Sequence, residues 1–394
     1  MLRERILQTL KEQKKLGQRQ LAHISGLSES STSRFLHGYE DINFEAALKL
    51  IKYLYPKEET ALMTEYILSQ KTRNARFALE YCLLNQLYAP FTIVLERLSS
   101  SLNHMDKEWA GMYHLVQLRK DRETDPIELL QQVEIFKPKE LEMQVLKGLL
   151  KAYIYIELEE KQSVLLHIKN TDKLIKKIKS SFMRNAFKIR LGFIMSTITM
   201  YARHSEKLRA YTRAIIEQDY FENAKIRAYH LLGYSYMYDD YQEALIHFNR
   251  ALEGYKHLSD SVHIKEVEQL ISYMNSYWKI EQKPPRNIEN EHDFTNYIYH
   301  FIRTDNKNIA ETLLSSLNVD KLCTREKAFY WYYKGLISED AEHYYLSIDH
   351  FLSMNDYFHL RLPVEELSRL EENNEILKVL LRRKPTEELV DVFG

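Results

Sequence analysis

Residues 229–251 carry the pattern that most restricts the fold. They read Tyr229-x-x-Leu232-Gly233-x-x-Tyr236, then Ala244-x-x-x-Phe248-x-x-Ala251. These are the small and large positions of a tetratricopeptide unit, a pair of antiparallel helices. Gly233 lets the two helices approach, Ala244 and Ala251 do the same from the second helix, and Phe248 fills the gap between them. The turn is one residue shorter than the usual form. Such a pair cannot bury its apolar face alone, so further pairs must stack on it. A second copy opens at Trp331 and Gly335 and continues through Ser347, Phe351 and Met354. A fainter third surrounds Gly192 and runs on to Leu208 and Tyr211. A plain helical bundle with small residues at its crossings is the alternative.

The remaining sequence also reads as helix. Ile6, Leu7, Leu10 and Leu16 form one amphipathic stripe, and Leu48, Ile51, Leu54 and Tyr55 another, stopped by Pro56. No long alternating run interrupts this pattern. With 10 Gly and 8 Pro in 394 residues, turn formers are too scarce for a many-stranded or disordered chain. The predicted fold class is all-α, an N-terminal helix-turn-helix domain followed by a tetratricopeptide-like α-solenoid. Pro284 and Pro285 cannot continue a helix and mark a loop between blocks of repeats. The expected domains are a helix-turn-helix at 1–56, a first repeat block at 57–283, and a second at 284–394 that ends in a dimerisation helix. Stacked pairs form a superhelix whose concave face is a natural peptide groove.

Residues 18–38 hold the helix-turn-helix. Leu21, Ala22 and Ile24 pack its first helix, Gly26 makes the turn, and Ser28 caps the second helix, which Phe35 and Leu36 anchor. A helix from Leu2 to Leu16 precedes this pair and another from Phe44 to Tyr55 comes after it. The second helix presents Glu29, Ser30, Ser31, Ser33 and Arg34, short hydrogen-bonding groups and one forked cation that suit base edges and phosphates. Gln18 and Arg19 start the first helix, where a backbone phosphate would lie. The candidate DNA-binding residues are Gln18, Arg19, Ser28, Ser30, Ser31, Ser33 and Arg34. Residues 1–55 hold nine Lys and Arg against six Asp and Glu, a mildly basic head on a chain that is otherwise nearly neutral. That balance permits nucleic-acid binding without demanding it. A docking module that contacts protein is the alternative reading of the head, favoured by Glu29 and the modest charge.

Other chemistries leave no trace. The sequence has no phosphate-cradling glycine loop, no HExxH or CxxC metal signature and no nucleophile–base constellation, so it reads as a binding protein without a cofactor or metal rather than an enzyme. His343 and His350 read as surface helix residues. Glu159, Glu160 and the group Lys173, Lys176, Lys177 and Lys179 read as solvated helix faces, with a second DNA-contacting patch at the lysines as the lesser reading. Cys82 reads as a core residue. Two cysteines, a charged N-terminus and the lack of a long apolar run point to a cytoplasmic protein that does not enter a membrane.

The combination of a helix-turn-helix with tetratricopeptide-like repeats resembles the peptide-regulated transcription factors of Gram-positive bacteria and their phages. Within these, the chain is similar to the arbitrium receptors, which decide between lysis and lysogeny. The likeness runs from about residue 60 to 382. It is carried by Ala78-Leu79-Glu80-Tyr81, Gly233-x-Ser235-Tyr236, Trp278, Tyr332-Tyr333-x-Gly335-Leu336-Ile337, Asp356-Tyr357-Phe358-x-Leu360-Arg361-Leu362-Pro363 and Glu372-Asn373-x-x-Ile376-Leu377-Lys378.

The resemblance implies a homodimer that binds operator DNA in the cytoplasm of a bacterial host. It also implies control by a short secreted and re-imported peptide, a hexapeptide ending Arg-Gly-Ala. Asp356 would receive the peptide arginine as a charge-assisted pair, with Phe358 beside it. Without that context, Asp356 also reads as a helix-surface or helix-capping carboxylate. Thr197 and Tyr201 stand where the family has asparagines, and Asn223 where it has an arginine. Arg227, one turn later, replaces that charge. Asn296 stands in place of a carboxylate, Arg325 in place of an asparagine, and Asn275 is kept. A repeat adaptor or anti-activator acting on a protein partner is the alternative function.

Overall fold

The computed structural model describes residues 2–13, 16–69, 73–158, 160–218, 221–280 and 291–371. The proline break at 284–285, the segment from Glu372 onward and Glu159 lie outside these residues. Among the described residues the regular structure is helical, without strands. The chain forms two compact units. One holds residues up to 154 together with 170–187, the other residues 155–169 and those from 188 onward.

The head consists of α1 (Leu2–Glu12), α2 (Gln18–Ser25), α3 (Glu29–Leu36) and α4 (Phe44–Leu54). Next come α5 (Glu59–Ser69), α6 (Arg73–Leu84), α7 (Tyr88–Ser99), α8 (His104–Asp121), α9 (Pro126–Ile135), α10 (Leu141–Glu157) and α11 (Lys161–Ile175). Then come α12 (Ser181–Tyr201), α13 (Ser205–Ile216), α14 (Glu222–Tyr236), α15 (Tyr241–His257) and α16 (Ser261–Tyr277). The last described helices are α17 (Glu291–Arg303), α18 (Lys307–Ser315), α19 (Thr324–Ser338), α20 (Ala341–Ser353) and α21 (Tyr357–Leu370). The first helix is shorter than the stripe to Leu16 suggests, because α2 begins directly after an extended Gly17. Leu16 nevertheless turns inward and is buried.

In the first unit the head is built into the helices after it. Phe44, at the start of α4, packs its ring 5.0 Å from Phe182, 5.9 Å from Tyr81 and 6.4 Å from Phe77. The Asn74 side chain accepts from the Phe44 backbone N–H and donates to the Ile42 carbonyl, which also accepts from the Tyr66 hydroxyl. Deeper in the unit, Arg76 and Asp106 form a buried ion pair at 2.6 Å, and the Ser101 hydroxyl satisfies the second carboxylate oxygen. Cys82 is a fully buried core residue, and burial pushes its thiol up to about 12.

In the second unit the predicted repeat pairs are present. α14 packs on α15, and α19 on α20. A Cβ added to Gly233 would meet the Phe248 ring at 2.7 Å, so the glycine and the phenylalanine are the two halves of one interlock. Gly335 does the same work against Tyr344 rather than Phe351, whose ring packs on Phe329 instead. Asp239, just after α14, accepts from Arg209 at 3.0 Å and from Arg361 at 2.9 Å, which ties α13 and α21 to this repeat. Among the described residues no helix is long and apolar enough to cross a membrane.

Phe248→Ala empties a fully buried site beside a glycine that cannot fill it. The expected cost is about 3–5 kcal/mol, read as a lowered denaturation midpoint of the second unit. An unchanged midpoint would contradict the interlock.

Candidate functional site

Each unit holds one constellation of interest. In the first unit, Gly26 takes a left-handed φ of 73° and ends α2, as the turn requires. The Ser28 side chain accepts from the Ser31 backbone N–H and caps α3. Leu21, Ala22 and Phe35 are buried and fix the crossing of the two helices. Ser30, Glu29 and Arg34 are exposed on α3, whereas Ser31 and Ser33 are half-buried. Arg19 binds Glu29 at 3.0 Å and Gln18 donates to the Glu29 carbonyl, which ties the start of α2 to the start of α3. Arg34 binds Glu40 at 2.8 Å. All seven candidate DNA-binding residues thus lie on these two helices or the cap between them.

In the second unit a cavity of about 240 Å³ opens among Tyr234, Tyr238, Tyr273, Asn296, Arg325 and His359, with Cys323 at its edge. Two of the expected peptide-binding residues, Asn296 and Arg325, line it. Asn296 is buried and donates to the Gln269 carbonyl at 3.4 Å. Tyr201 is the last residue of α12 and is half-buried. Phe358 is buried beside the cavity, stacks on Tyr234 at 5.0 Å and packs tilted against Tyr238 at 5.1 Å.

Asp356 is 1% exposed and is fully engaged. It caps α21 by accepting from the His359 backbone N–H, and it accepts from His359 Nδ1 at 2.8 Å and from Arg325 at 3.1 Å. His359 Nε2 lies 3.0 Å from the Tyr234 hydroxyl. A carboxylate can only accept, so Nδ1 carries a proton, and the chain of bonds runs from Tyr234 through His359 to Asp356. Burial pushes the Asp356 carboxyl up, but His359 and Arg325 outweigh it and hold the group down at about 2. Arg325 is the half-exposed end of this network, its side chain 45% accessible.

The other expected peptide contacts do not line the cavity. Thr197 donates to the Phe193 carbonyl within α12. Arg227 is exposed and lies over the Phe193 ring at 4.6 Å, with Asn223 one turn before it on α14. Asn275 accepts from the Tyr241 hydroxyl at 3.0 Å. The sequence reading missed His359 and the wall tyrosines. The Asp356–His359 spacing of one helical turn was the available signal. Among the described residues no group of His, Cys, Asp and Glu could hold a metal ion.

The folded-state carboxyl of Asp356 lies below its ordinary 3.8, so it stabilises the fold above pH 4 and loses that contribution as the pH falls through about 2. Asp356→Asn keeps a capping side chain but removes this dependence. The stability difference between pH 7 and pH 2 should shrink by about 2 kcal/mol in the variant, measured by urea denaturation at both pH values. An undiminished difference would refute the ionised, paired carboxylate.

Comparison with known proteins agrees with this architecture. The chain is 26% identical over 343 residues to the AimR transcriptional regulator of Bacillus phage phi3T, covering 86% of this chain and 89% of that protein. It is 27% identical over 346 residues to the AimR transcriptional regulator of Bacillus phage SPbeta, covering 86% and 88%. The solved structure of selenomethionyl phAimR matches with a TM-score of 0.77 at 25% identity, over 96% of this chain and 100% of that one. The structure of phAimR with ligand matches at 0.71 and 25% identity, over 84% and 98%. The family model described as AimR transcriptional regulator-like matches residues 59–369. From the first helix after the head to the end of α21, therefore, the chain belongs to the AimR transcriptional regulator-like family.

Proposed function

We propose that the chain is a transcriptional regulator that binds operator DNA through α2 and α3 and answers to a short signalling peptide held by its second unit. Its task is the arbitrium-type choice between lysis and lysogeny. The observation that carries this reading is the match to a family of transcriptional regulators over residues 59–369, preceded by a capped helix-turn-helix. Exposed Ser30 and Arg34 are the groups on α3 best placed to reach base edges. Arg19 and Gln18 serve a phosphate beside it. Glu29, whose charge argued for a protein partner, is neutralised by Arg19, which weakens the adaptor alternative.

The peptide reading is supported by the cavity. Its lining includes Tyr234, Tyr238, Tyr273 and Tyr333, which offer apolar area with hydroxyl tips, and Arg325 and Asn296 supply directional polar groups. Arg227, Asn223, Thr197, Tyr201 and Asn275 are the further proposed contacts of a peptide longer than the cavity. Asp356 and Phe358 act from below, Asp356 by fixing Arg325 and Phe358 by backing Tyr234. A peptide arginine would have to share or displace the Arg325 bond to reach Asp356. The proposed functional division is a DNA-binding head at 1–56 and repeat blocks at 57–283 and 284–394. The last block carries the contact that joins two copies, since a two-fold operator needs two heads. The protein works in the cytoplasm of the bacterial host and performs no catalysis.

The test is titration of the protein against duplexes flanking its own gene, with and without synthetic hexapeptides ending Arg-Gly-Ala. Arg34→Ala should lower operator affinity about five- to 150-fold, on the scale of one lost bidentate contact of about 1–3 kcal/mol, with the thermal midpoint unchanged. Arg325→Gln should keep operator affinity and lose the peptide response. Normal DNA binding by a folded Arg34→Ala protein would remove that contact, and a full response in Arg325→Gln would remove the cavity as the peptide site.

A further inference from the structure

Lys173, Lys176, Lys177 and Lys179 lie at the end of α11 and in the turn after it, and all four are exposed. Lys176 binds Asp172 at 3.2 Å. The other three form no ion pair among the described residues, and no acidic residue occurs between Lys173 and Lys188. They belong to the compact unit that contains the head.

The residues directly after these lysines are bound to the head itself. The Ser180 and Ser181 hydroxyls and the Phe182 backbone N–H donate to the carboxylate of Glu45 on α4. The Phe182 ring packs on Phe44. Glu45 also holds Lys49 at 3.2 Å, and the Lys49 ammonium lies 3.7 Å from where a Cβ on Gly26 would be. From Ser180, the residue after Lys179, contacts therefore lead through Glu45 and Lys49 to the turn between α2 and α3. The acid in this path is already satisfied by hydroxyls, a helix N-terminus and Lys49, and Lys173, Lys177 and Lys179 form no ion pair among the described residues.

Among the described residues, several cations of the head already have acidic partners. Arg5, Arg19 and Arg34 are bound to Glu58, Glu29 and Glu40. Duplex DNA attracts proteins chiefly through phosphate neutralisation and counterion release. Lysine serves this as a mobile point charge without sequence preference.

We propose that Lys173, Lys177 and Lys179 are a second DNA-contacting patch, which holds backbone phosphates of the duplex beside the segment read by α3. The proposal rests on the DNA-binding reading above and adds residues outside the helix-turn-helix to it. These lysines set affinity and salt dependence, while α3 sets sequence preference.

The experiment compares the full-length protein with its Lys173→Ala/Lys177→Ala/Lys179→Ala variant by fluorescence anisotropy. Two probes are used, a duplex from the region flanking its own gene and a random duplex of about three helical turns. Both are titrated between about 50 and 200 mM salt. Each lost phosphate contact lowers the slope of log affinity against log salt by about 0.9. The slope should therefore fall by about 2 to 3 on both probes, with their affinity ratio kept. The Lys→Arg triple variant should restore the slope, and circular dichroism should show unchanged helix content in both variants. An unchanged slope in the folded alanine variant, beside a steep slope in the parent, would overturn the patch and leave the helix-turn-helix reading intact. A loss confined to the flanking-region probe would also overturn it. If the parent itself shows no salt-dependent binding to either duplex, the DNA-binding reading fails and the patch falls with it.

Discussion

Two helices can come together closely only where one of them gives up a side chain. This constraint organises the second unit, where Gly233 receives the Phe248 ring and Gly335 receives Tyr344. The same arrangement recurs in the first unit, where a Cβ on Gly148 would strike the Thr171 side chain. Gly111 and Gly254 likewise mark places where Phe136 and Ile226 are seated. The orientation of each of these helix pairs is then set by where the bulky partner lies along its own helix. The cavity depends on this too, since Tyr234 lies on α14 one residue after Gly233, and Tyr333 lies on α19 two residues before Gly335.

The polar network around Asp356 sits on that scaffold. A buried carboxylate is tolerated only when its lone pairs are used. Here a backbone N–H, an imidazole and a guanidinium use them. The guanidinium is the one member that reaches solvent. The result is a cation whose position is set from the interior and whose open side faces the cavity, backed by a wall of tyrosines.

The legible parts of the molecule were those encoded over short distances. The turn at Gly26, the cap at Ser28 and the Gly233–Phe248 pair each depend on residues within one helix pair, so the sequence order already contains the geometry. The capping role of Asp356, three residues before its partner His359, was open to the same kind of reasoning. What could not be read was any pairing across many residues. Arg325 meets Asp356, Glu45 meets Ser181, and Phe44 meets Phe182 through tertiary packing alone. Local pattern names neither partner in such a pair. For the same reason Tyr234, Tyr273 and His359 gave no sign in sequence that they share a cavity.

The bond between Glu45 and the start of α12 has a consequence for the order in which the protein can be made. The first unit is not one continuous stretch of chain, since residues 170–187 return to it after an excursion. Until Phe182 has left the ribosome, Phe44 lacks one of its ring neighbours and Glu45 lacks its serines. At bacterial elongation rates of about 5–20 residues per second, that interval is on the order of ten seconds. A helix-turn-helix with sound caps exists early in synthesis, but the unit that carries it is finished late. A truncated transcript or an early stop would therefore release a head with an exposed aromatic face, a species suited to proteolysis or aggregation rather than to residual DNA binding.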